Sequence, residues 1–323
     1  MQAGTPPASI TFRDGRATNY RFATPPLRIS LGAMTDTYDL FIGDRSFSSW
    51  SLRGWLMFEK FGLPFRTHMV GLYSGSMAAD LEPLAPARLV PVMRTPEGTP
   101  VGDTLAMAET LAERHPDAGL WPTDAAARAL ARWLCAEMHS GFTALRSDCP
   151  MQLLHQYRGF KPSDAVLADL ARIETLWSLA RARHGQSGPW LFGDYTLADA
   201  FFAPVAARIA GYGLPVDEAA QAYVETTLSD PAFRRWRALG LTTSYDPMPY
   251  ALPLETAPWP GPAPLAARAV AKGPSENTAC PYSGKPVTDF LALDGRIFGF
   301  CNPTCRDKTV NDPEAWPAFI ALL

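Results

Sequence analysis

The sequence predicts an α/β domain, an all-helical domain and a small α+β module, in that order along 323 residues. Three observations predict it. From Tyr38 to about residue 115, strand-like apolar runs and helical periodicity follow the order β-α-β, loop, β-β-α, which suits one α/β domain. From Ala125 to about Leu239 the chain is rich in alanine, leucine and arginine and reads as helix throughout. A proline-rich stretch between Asp246 and Pro274 then precedes a cysteine-bearing segment that begins at Asn277. The expected divisions are an N-terminal extension over 1–35, read as disordered, and domains at 36–117 and 123–245. A linker over 246–276 and a module over 277–323 follow.

The first strand is Tyr38–Ile42 and the first helix Ser49–Phe61, entered through Ser46-Phe47-Ser48-Ser49-Trp50-Ser51-Leu52-Arg53. Serines at a helix start cap free backbone N–H groups. The same place, at the positive end of the helix dipole, favours an anion such as a thiolate. Residues 64–70 read as a second strand and Leu89–Met93 as a short third one with Pro91 inside it. Proline cannot donate to a sheet ladder. An edge strand explains Pro91, and so does a cis Val90-Pro91 bond that turns the Val90 backbone toward a ligand. Gly98 and Thr99 return the chain along Pro100-Val101, and Asp103 begins a helix over Thr104–Glu113.

In the helical domain, Thr196 and Asp199 have capping-box spacing and read as structural. Pro204 is expected to end or kink the helix that they begin. Glu137, Met138, His139, Ser140, Gly141 and Phe142, continuing to Leu145 and Arg146, read as part of the first long helix of this domain. On such a helix Glu137 and Ser140 share one face, and His139, Phe142 and Arg146 share another.

Composition narrows the function. A net charge of −3 without a basic run argues against nucleic acid, and no stretch of about twenty apolar residues suggests a membrane span. The first 33 residues carry Arg13, Arg16, Arg21 and Arg28 without the apolar centre of a secretory signal. They read as an upstream extension, and a cytoplasmic location is expected. Five cysteines, three of them in the last 44 residues, do not read as a disulfide framework.

Taken together, residues 38–240 resemble the glutathione S-transferase family. The landmarks are the strand-serine-helix start, Val90-Pro91, Asp103-Thr104, Leu120-Trp121-Pro122, and Leu191-Phe192-Gly193 followed by Thr196-Leu197-Ala198-Asp199. The resemblance implies a thioredoxin-like N-terminal domain, an all-α C-terminal domain, glutathione as co-substrate, a small electrophilic substrate and a homodimer. Ser48-Ser49-Trp50-Ser51 is similar to the Ser-Ser-Cys-Ser start of the zeta (maleylacetoacetate isomerase) branch. It is closer to bacterial transferases carrying Tyr-Ser-Ser-Trp-Ser-Leu-Arg.

By this resemblance Ser48 stands at the zeta catalytic serine, with Ser49 as its neighbour should the turn shift by one residue. The serine hydroxyl would donate to the glutathione sulfur, giving conjugation or a zeta-like isomerisation. Trp50 stands where the zeta branch has cysteine, which excludes dithiol exchange. The Val90 backbone would pair with the cysteinyl moiety beside Pro91, and Asp103 and Thr104 would hold the γ-glutamyl end. Leu89 stands where relatives often carry Lys or Gln for the glycyl carboxylate, so Arg88 is the alternative. Glu137, His139 and Arg146 are the candidates for the electrophile pocket, Arg146 for an anionic group.

The C-terminal segment holds Cys280-Pro281-Tyr282-Ser283-Gly284 and Gly299-Phe300-Cys301-Asn302-Pro303-Thr304-Cys305, and resembles the YHS/TRASH group of metal-associated domains. Residues 287–293 and 296–300 read as strands joined at Asp294-Gly295, and Asn302 as the cap of a helix that begins near Pro303. Cys280, Cys301 and Cys305 are candidate metal ligands. A structural zinc site wants four, and Asp289, Asp307, water or another chain are the candidates for the fourth. Two rivals to an enzyme stand beside this reading. One is a non-catalytic glutathione- or protein-binding scaffold. The other is a metal or redox sensor acting through the cysteine module.

Overall fold

The chain opens on strand β1 (Tyr38–Ile42), helix α1 (Ser49–Glu59) and strand β2 (Phe65–Met69). The short helix α2 (Met77–Leu81) leads to β3 (Val92–Arg94), β4 (Pro100–Gly102) and α3 (Thr104–Arg114). The structure is a computed structural model that describes residues 37–185 and 187–323. The expected disorder of the N-terminal extension lies outside the described residues.

The four strands form one mixed sheet in the order β2-β1-β3-β4, in which β1 runs parallel to β2 and antiparallel to β3. Tyr38, Leu40 and Ile42 are buried against Leu52, Leu56 and Phe58 of α1 and Met107 and Leu111 of α3. The opposite face carries a smaller cluster of Val70, Leu81, Leu84 and Val92. The expected strand at Leu89–Met93 begins only at Val92, because Pro91 has no N–H to give the ladder. The Val90–Pro91 peptide is cis. A Cβ on Gly54 of α1 would stand 2.8 Å from the Pro91 ring, so glycine is what lets the helix lie against that proline.

The helical region consists of α4 (Ala125–Ser140), α5 (Thr143–Asp148), strand β5 (Gln156–Tyr157), α6 (Asp164–His184), α7 (Leu197–Tyr212), α8 (Glu218–Ser229) and α9 (Pro231–Gly240). The first helix does not run through to Arg146 as expected. It stops at Ser140, and Phe142, at a φ of 55°, turns the chain into α5. Helix α7 is buried along nearly its whole length. The Thr196–Asp199 capping box forms at its start, and the helix continues through Pro204 rather than ending there. Packing on all sides outweighs one lost hydrogen bond. Asp199 also accepts from Leu191 N–H and the Tyr223 hydroxyl, so the cap ties three segments together. Among the described residues, no helix is long and apolar enough to cross a membrane.

The proline-rich segment is docked chain rather than a free spacer. Strand β6 (Thr256–Ala257) pairs with β5, and β7 (Ala267–Val270) pairs with β8 (Asp289–Leu293). Strand β9 (Arg296–Phe300) completes a sheet in the order β7-β8-β9. Asp294 and Gly295, both at positive φ, make the expected tight turn. Asn302 accepts from Cys305 N–H and caps α10 (Pro303–Asn311), and the short α11 (Pro317–Ile320) ends the chain.

The core of this C-terminal sheet includes Leu291, Phe298, Phe300, Trp316 and Phe319, together with Ala238 from α9. Arg234 of α9 holds Asp312 through two hydrogen bonds of 2.8 and 2.7 Å, and Arg235 links Glu59 of α1 to the Ala315 carbonyl.

Candidate functional site

The start of α1 is built from serines that serve one another. Ser48 is the N-cap residue, accepting from Ser51 N–H at 3.3 Å and donating to the Ser51 hydroxyl at 2.8 Å. The Ser51 oxygen also accepts from Gly43 N–H at 2.9 Å, which fixes the loop after β1 to the helix start. Ser48 is 7% exposed, and the hydroxyl of the half-buried Ser49 makes no hydrogen bond among the described residues.

Both serines line a cavity of about 1040 Å³ between the sheet and the helical region. Val90 and Pro91 border it from the chain before β3, and Asp103 and Thr104 from the start of α3. Asp103 caps α3 by accepting from Leu105 N–H, and its backbone lies at a φ of 66°, where non-glycine residues are uncommon.

His139 reaches this corner from α4. Its Nε2 lies 3.2 Å from Asp103 Oδ2, and its Nδ1 is 3.5 Å from the Thr104 hydroxyl. Burial holds its pKa below the ordinary histidine value, and Asp103 pulls the other way.

Trp50 is the other focus. The Arg53 guanidinium lies 4.4 Å from its ring centre, the Arg146 guanidinium 5.0 Å, and the His139 ring meets it edge-on at 5.0 Å. Arg53 is fully buried, and its Nε and Nη1 have no hydrogen-bond partner among the described residues, where the rings of Trp50 and Phe201 lie against it instead. Burial lowers its pKa to about 9, with repulsion from Arg208 and Arg146 adding to the effect.

The structure therefore brings together Ser48, Ser49, Val90, Pro91, Asp103, Thr104, His139 and Arg146 around one cavity. It does not bring Arg88 or Glu137 there. Arg88 is exposed and outside the lining, while its neighbour Leu89, 73% exposed, borders the cavity. Glu137 faces α6, where Arg172 holds both of its oxygens at 2.7 and 3.0 Å. The break at Gly141 and Phe142 explains the remaining arrangement. Arg146 sits on a separate helix and turns back to donate to the carbonyls of His139 and Gly141 at 3.3 and 3.4 Å.

Arg53, Arg208 and Tyr250 are among the lining or supporting residues that the sequence did not point to. An arginine inside an apolar helix carries no local sign of being buried, and Tyr250 lies in the segment read as a linker.

In the C-terminal sheet, the sulfur atoms of Cys280, Cys301 and Cys305 lie within 4.8 Å of one another. No histidine or carboxylate joins them among the described residues. Asp289 and Asp307 are both held by Arg306, and the Ser283 hydroxyl donates to Cys301 Sγ at 3.1 Å. Cys280 has its pKa lowered to about 7: burial opposes ionisation, but hydrogen bonding from the backbone N–H groups of Tyr282 and Cys301 and from the Ser283 and Cys301 side chains together outweighs it. A closed four-ligand zinc site does not fit this donor set.

The family model described as Glutathione S-transferase, N-terminal domain, matches residues 47–114. A protein of Caenorhabditis elegans named probable maleylacetoacetate isomerase is 31% identical over 163 residues, 50% of this chain and 73% of that protein. The maleylacetoacetate isomerase of Dictyostelium discoideum is 25% identical over 151 residues, 46% of this chain and 68% of that protein. A solved glutathione transferase homologue from Burkholderia, with bound glutathione, is 23% identical with a TM-score of 0.49. That alignment covers 64% of this chain and 100% of the other. With the matched region spanning the serine helix start, strands β2 to β4 and α3, and with a relative of 31% identity covered over 73% of its length, the chain belongs to the glutathione S-transferase family.

Proposed function

We propose that this chain binds glutathione in the cavity at the start of α1, stabilises its thiolate through Ser48, and directs it at a small electrophile. The observation that carries this reading is the Ser48 cap. A hydroxyl at a helix N-terminus borders the same cavity as Val90, Asp103 and Thr104, which come from two other elements.

An unperturbed thiol has a pKa of roughly 8.5, so a drop of one or two units makes it mostly ionised near neutral pH. In the free protein the Ser48 hydroxyl proton is spent on Ser51. A bound sulfur would reverse that bond. Ser51, whose oxygen already accepts from Gly43, donates to Ser48, and Ser48 turns its own proton to the sulfur. Ser49 is the second donor within the same turn.

Glutathione would extend past Val90, pairing its cysteinyl backbone with the Val90 main chain. Its γ-glutamyl carboxylate would meet the Thr104 hydroxyl and the N–H groups opening α3, with Asp103 toward the amine. The glycyl carboxylate finds no cation at Leu89, which argues for modest affinity.

Two outcomes follow from one thiolate. Attack on a carbon bearing a leaving group forms a C–S bond and releases that group with its electron pair. Addition to a conjugated carbon, rotation about the former double bond and expulsion of the same thiolate give net cis–trans isomerisation with glutathione regenerated. The names of the Caenorhabditis elegans and Dictyostelium discoideum relatives support the second outcome.

Retention on immobilised glutathione and turnover of an aryl halide and of a maleyl substrate test the reading. If Ser48→Ala turns over at the wild-type rate and leaves the ultraviolet thiolate absorbance of bound glutathione unchanged, the catalytic role of Ser48 is wrong.

A second reading rests on the three sulfur atoms within 4.8 Å, in which the C-terminal module senses a thiophilic metal or the redox state. Metal content of the chain purified without chelators tests it, and a trace far below one equivalent removes the metal half.

A further inference from the structure

We propose that α7 and the chain following α9 complete an acceptor site for an organic carboxylate with a flat apolar body, Arg208 taking the carboxylate and Tyr250 the body. The proposal rests on the glutathione transferase reading of the same cavity and specifies the second substrate.

The charge balance of the cavity carries the first half. Arg146 and Arg208 both line it, and Arg53 lies behind Trp50. Asp103 is the one carboxylate among the described lining residues, and it is engaged by His139. Among the described residues, Arg53, Arg146 and Arg208 form no ion pair. Arg208 is 5% exposed and donates from Nε to the Cys149 carbonyl at 2.8 Å and from Nη1 to the Pro204 carbonyl at 3.1 Å, while Nη2 makes no hydrogen bond among the described residues. Burial lowers its pKa to about 10, and Arg146 adds repulsion, so it stays cationic at neutral pH. A guanidinium buried among like charges is costly unless an anion joins it, and a carboxylate accepts from its planar fork.

Tyr250 carries the second half. It belongs to the proline-rich segment yet borders the cavity, 50% exposed, at a φ of 55° that a bulky residue rarely adopts. Its ring meets Phe47 at 6.0 Å and Tyr73 at 6.3 Å, both steeply inclined, so an aromatic rim stands over the serine helix start.

The two halves share one frame. Arg208 and Tyr212, one turn apart on α7, hold the consecutive carbonyls of Cys149 and Pro150. The Tyr212 ring meets Tyr157 at 5.4 Å, and the Tyr157 hydroxyl donates to the Tyr250 carbonyl at 3.5 Å and accepts from Leu252 N–H at 3.2 Å. An anion at the floor and a ring at the rim would therefore sit on a single supported wall.

Calorimetric titration of the full chain with naphthoate and with its neutral counterpart naphthamide, with and without saturating glutathione, tests this. Naphthoate should bind at least about tenfold tighter than naphthamide, a preference that Arg208→Met removes. Tyr250→Ala should weaken both ligands by about fivefold. Equal wild-type affinities overturn the carboxylate assignment even if the buried-arginine variant fails to fold. Unchanged naphthoate affinity in Tyr250→Ala overturns the body site. Failure to bind glutathione alone, with naphthoate still preferred, would instead count against the transferase reading on which the substrate role depends.

Discussion

His139 Nε2 lies 3.2 Å from Asp103 Oδ2, joining the end of α4 to the residue that caps α3. The contact crosses from the helical region to the sheet region at the corner where the γ-glutamyl end of glutathione is proposed to lie. Burial lowers the His139 pKa, Asp103 raises it, and Arg53 and Arg146 lower it further. A histidine held below its unfolded value of about 6.5 is neutral in the folded protein at pH 7. The unfolded chain then binds the proton more readily, so stability falls as pH drops through about 6.5 toward the folded pKa. Asp103→Asn should move the His139 titration, followed by NMR, further down. An upward shift would contradict the assigned pairing.

Ser51 is predicted to matter for chemistry that it does not touch. Ser51→Ala removes the hydroxyl that relays between Gly43 and Ser48. A bond to a charged group is worth about 1.5–3 kcal/mol, and the relay is part of one, so the bound thiol pKa should rise by about half a unit to one unit. Stopped-flow thiolate absorbance in Ser48→Ala, Ser51→Ala and the double variant reads this. A full additive effect in the double variant would show that the two hydroxyls act separately.

Gly54→Ala tests the seat of Pro91. In an ordinary helix the change would gain up to about 1 kcal/mol. Here the new Cβ would stand 2.8 Å from Cγ of Pro91, so a net loss of about 1–3 kcal/mol is expected, with weaker glutathione binding as Val90 moves. Denaturant unfolding together with glutathione titration measures both. A stabilised variant with unchanged affinity would mean that Gly54 does not set the position of Pro91.

Arg234→Ala probes the docking of the C-terminal sheet on α9. The Arg234–Asp312 pair is largely buried, and removing one partner strands the other, at a cost of about 3 kcal/mol. Limited proteolysis should then cut between residues 246 and 276 first. Unaltered protection there would mean that the apolar contact through Ala238 alone holds the sheet.

Local features were legible in the sequence because their causes are local. Ser48, Asp103, Thr196 and Asn302 each cap a helix through atoms two or three residues away. Asp294-Gly295 closes its hairpin for the same reason, since both residues accept positive φ. Pro91 displaces the start of β3 by its missing N–H alone. The order of these signals along the chain was enough to indicate the family and one wall of the cavity.

The opposite wall depended on contacts between residues far apart in the sequence. Glu137 and His139 stand two residues apart on one helix, yet one faces Arg172 and the other Asp103, according to which neighbours pack there. Arg53 and Arg208 became part of the site only through burial beside Trp50 and the Cys149 carbonyl, which no window of sequence encodes. Tyr250 enters through the return of a proline-rich strand over the helical region. The helix ends, the turns and the serine cap are exchanges among near neighbours, and a short window of sequence is enough to set them. Where Arg53, Arg146 and Arg208 lie and what borders them came from the tertiary fold, because burial and like-charge repulsion depend on distances that only the folded chain sets.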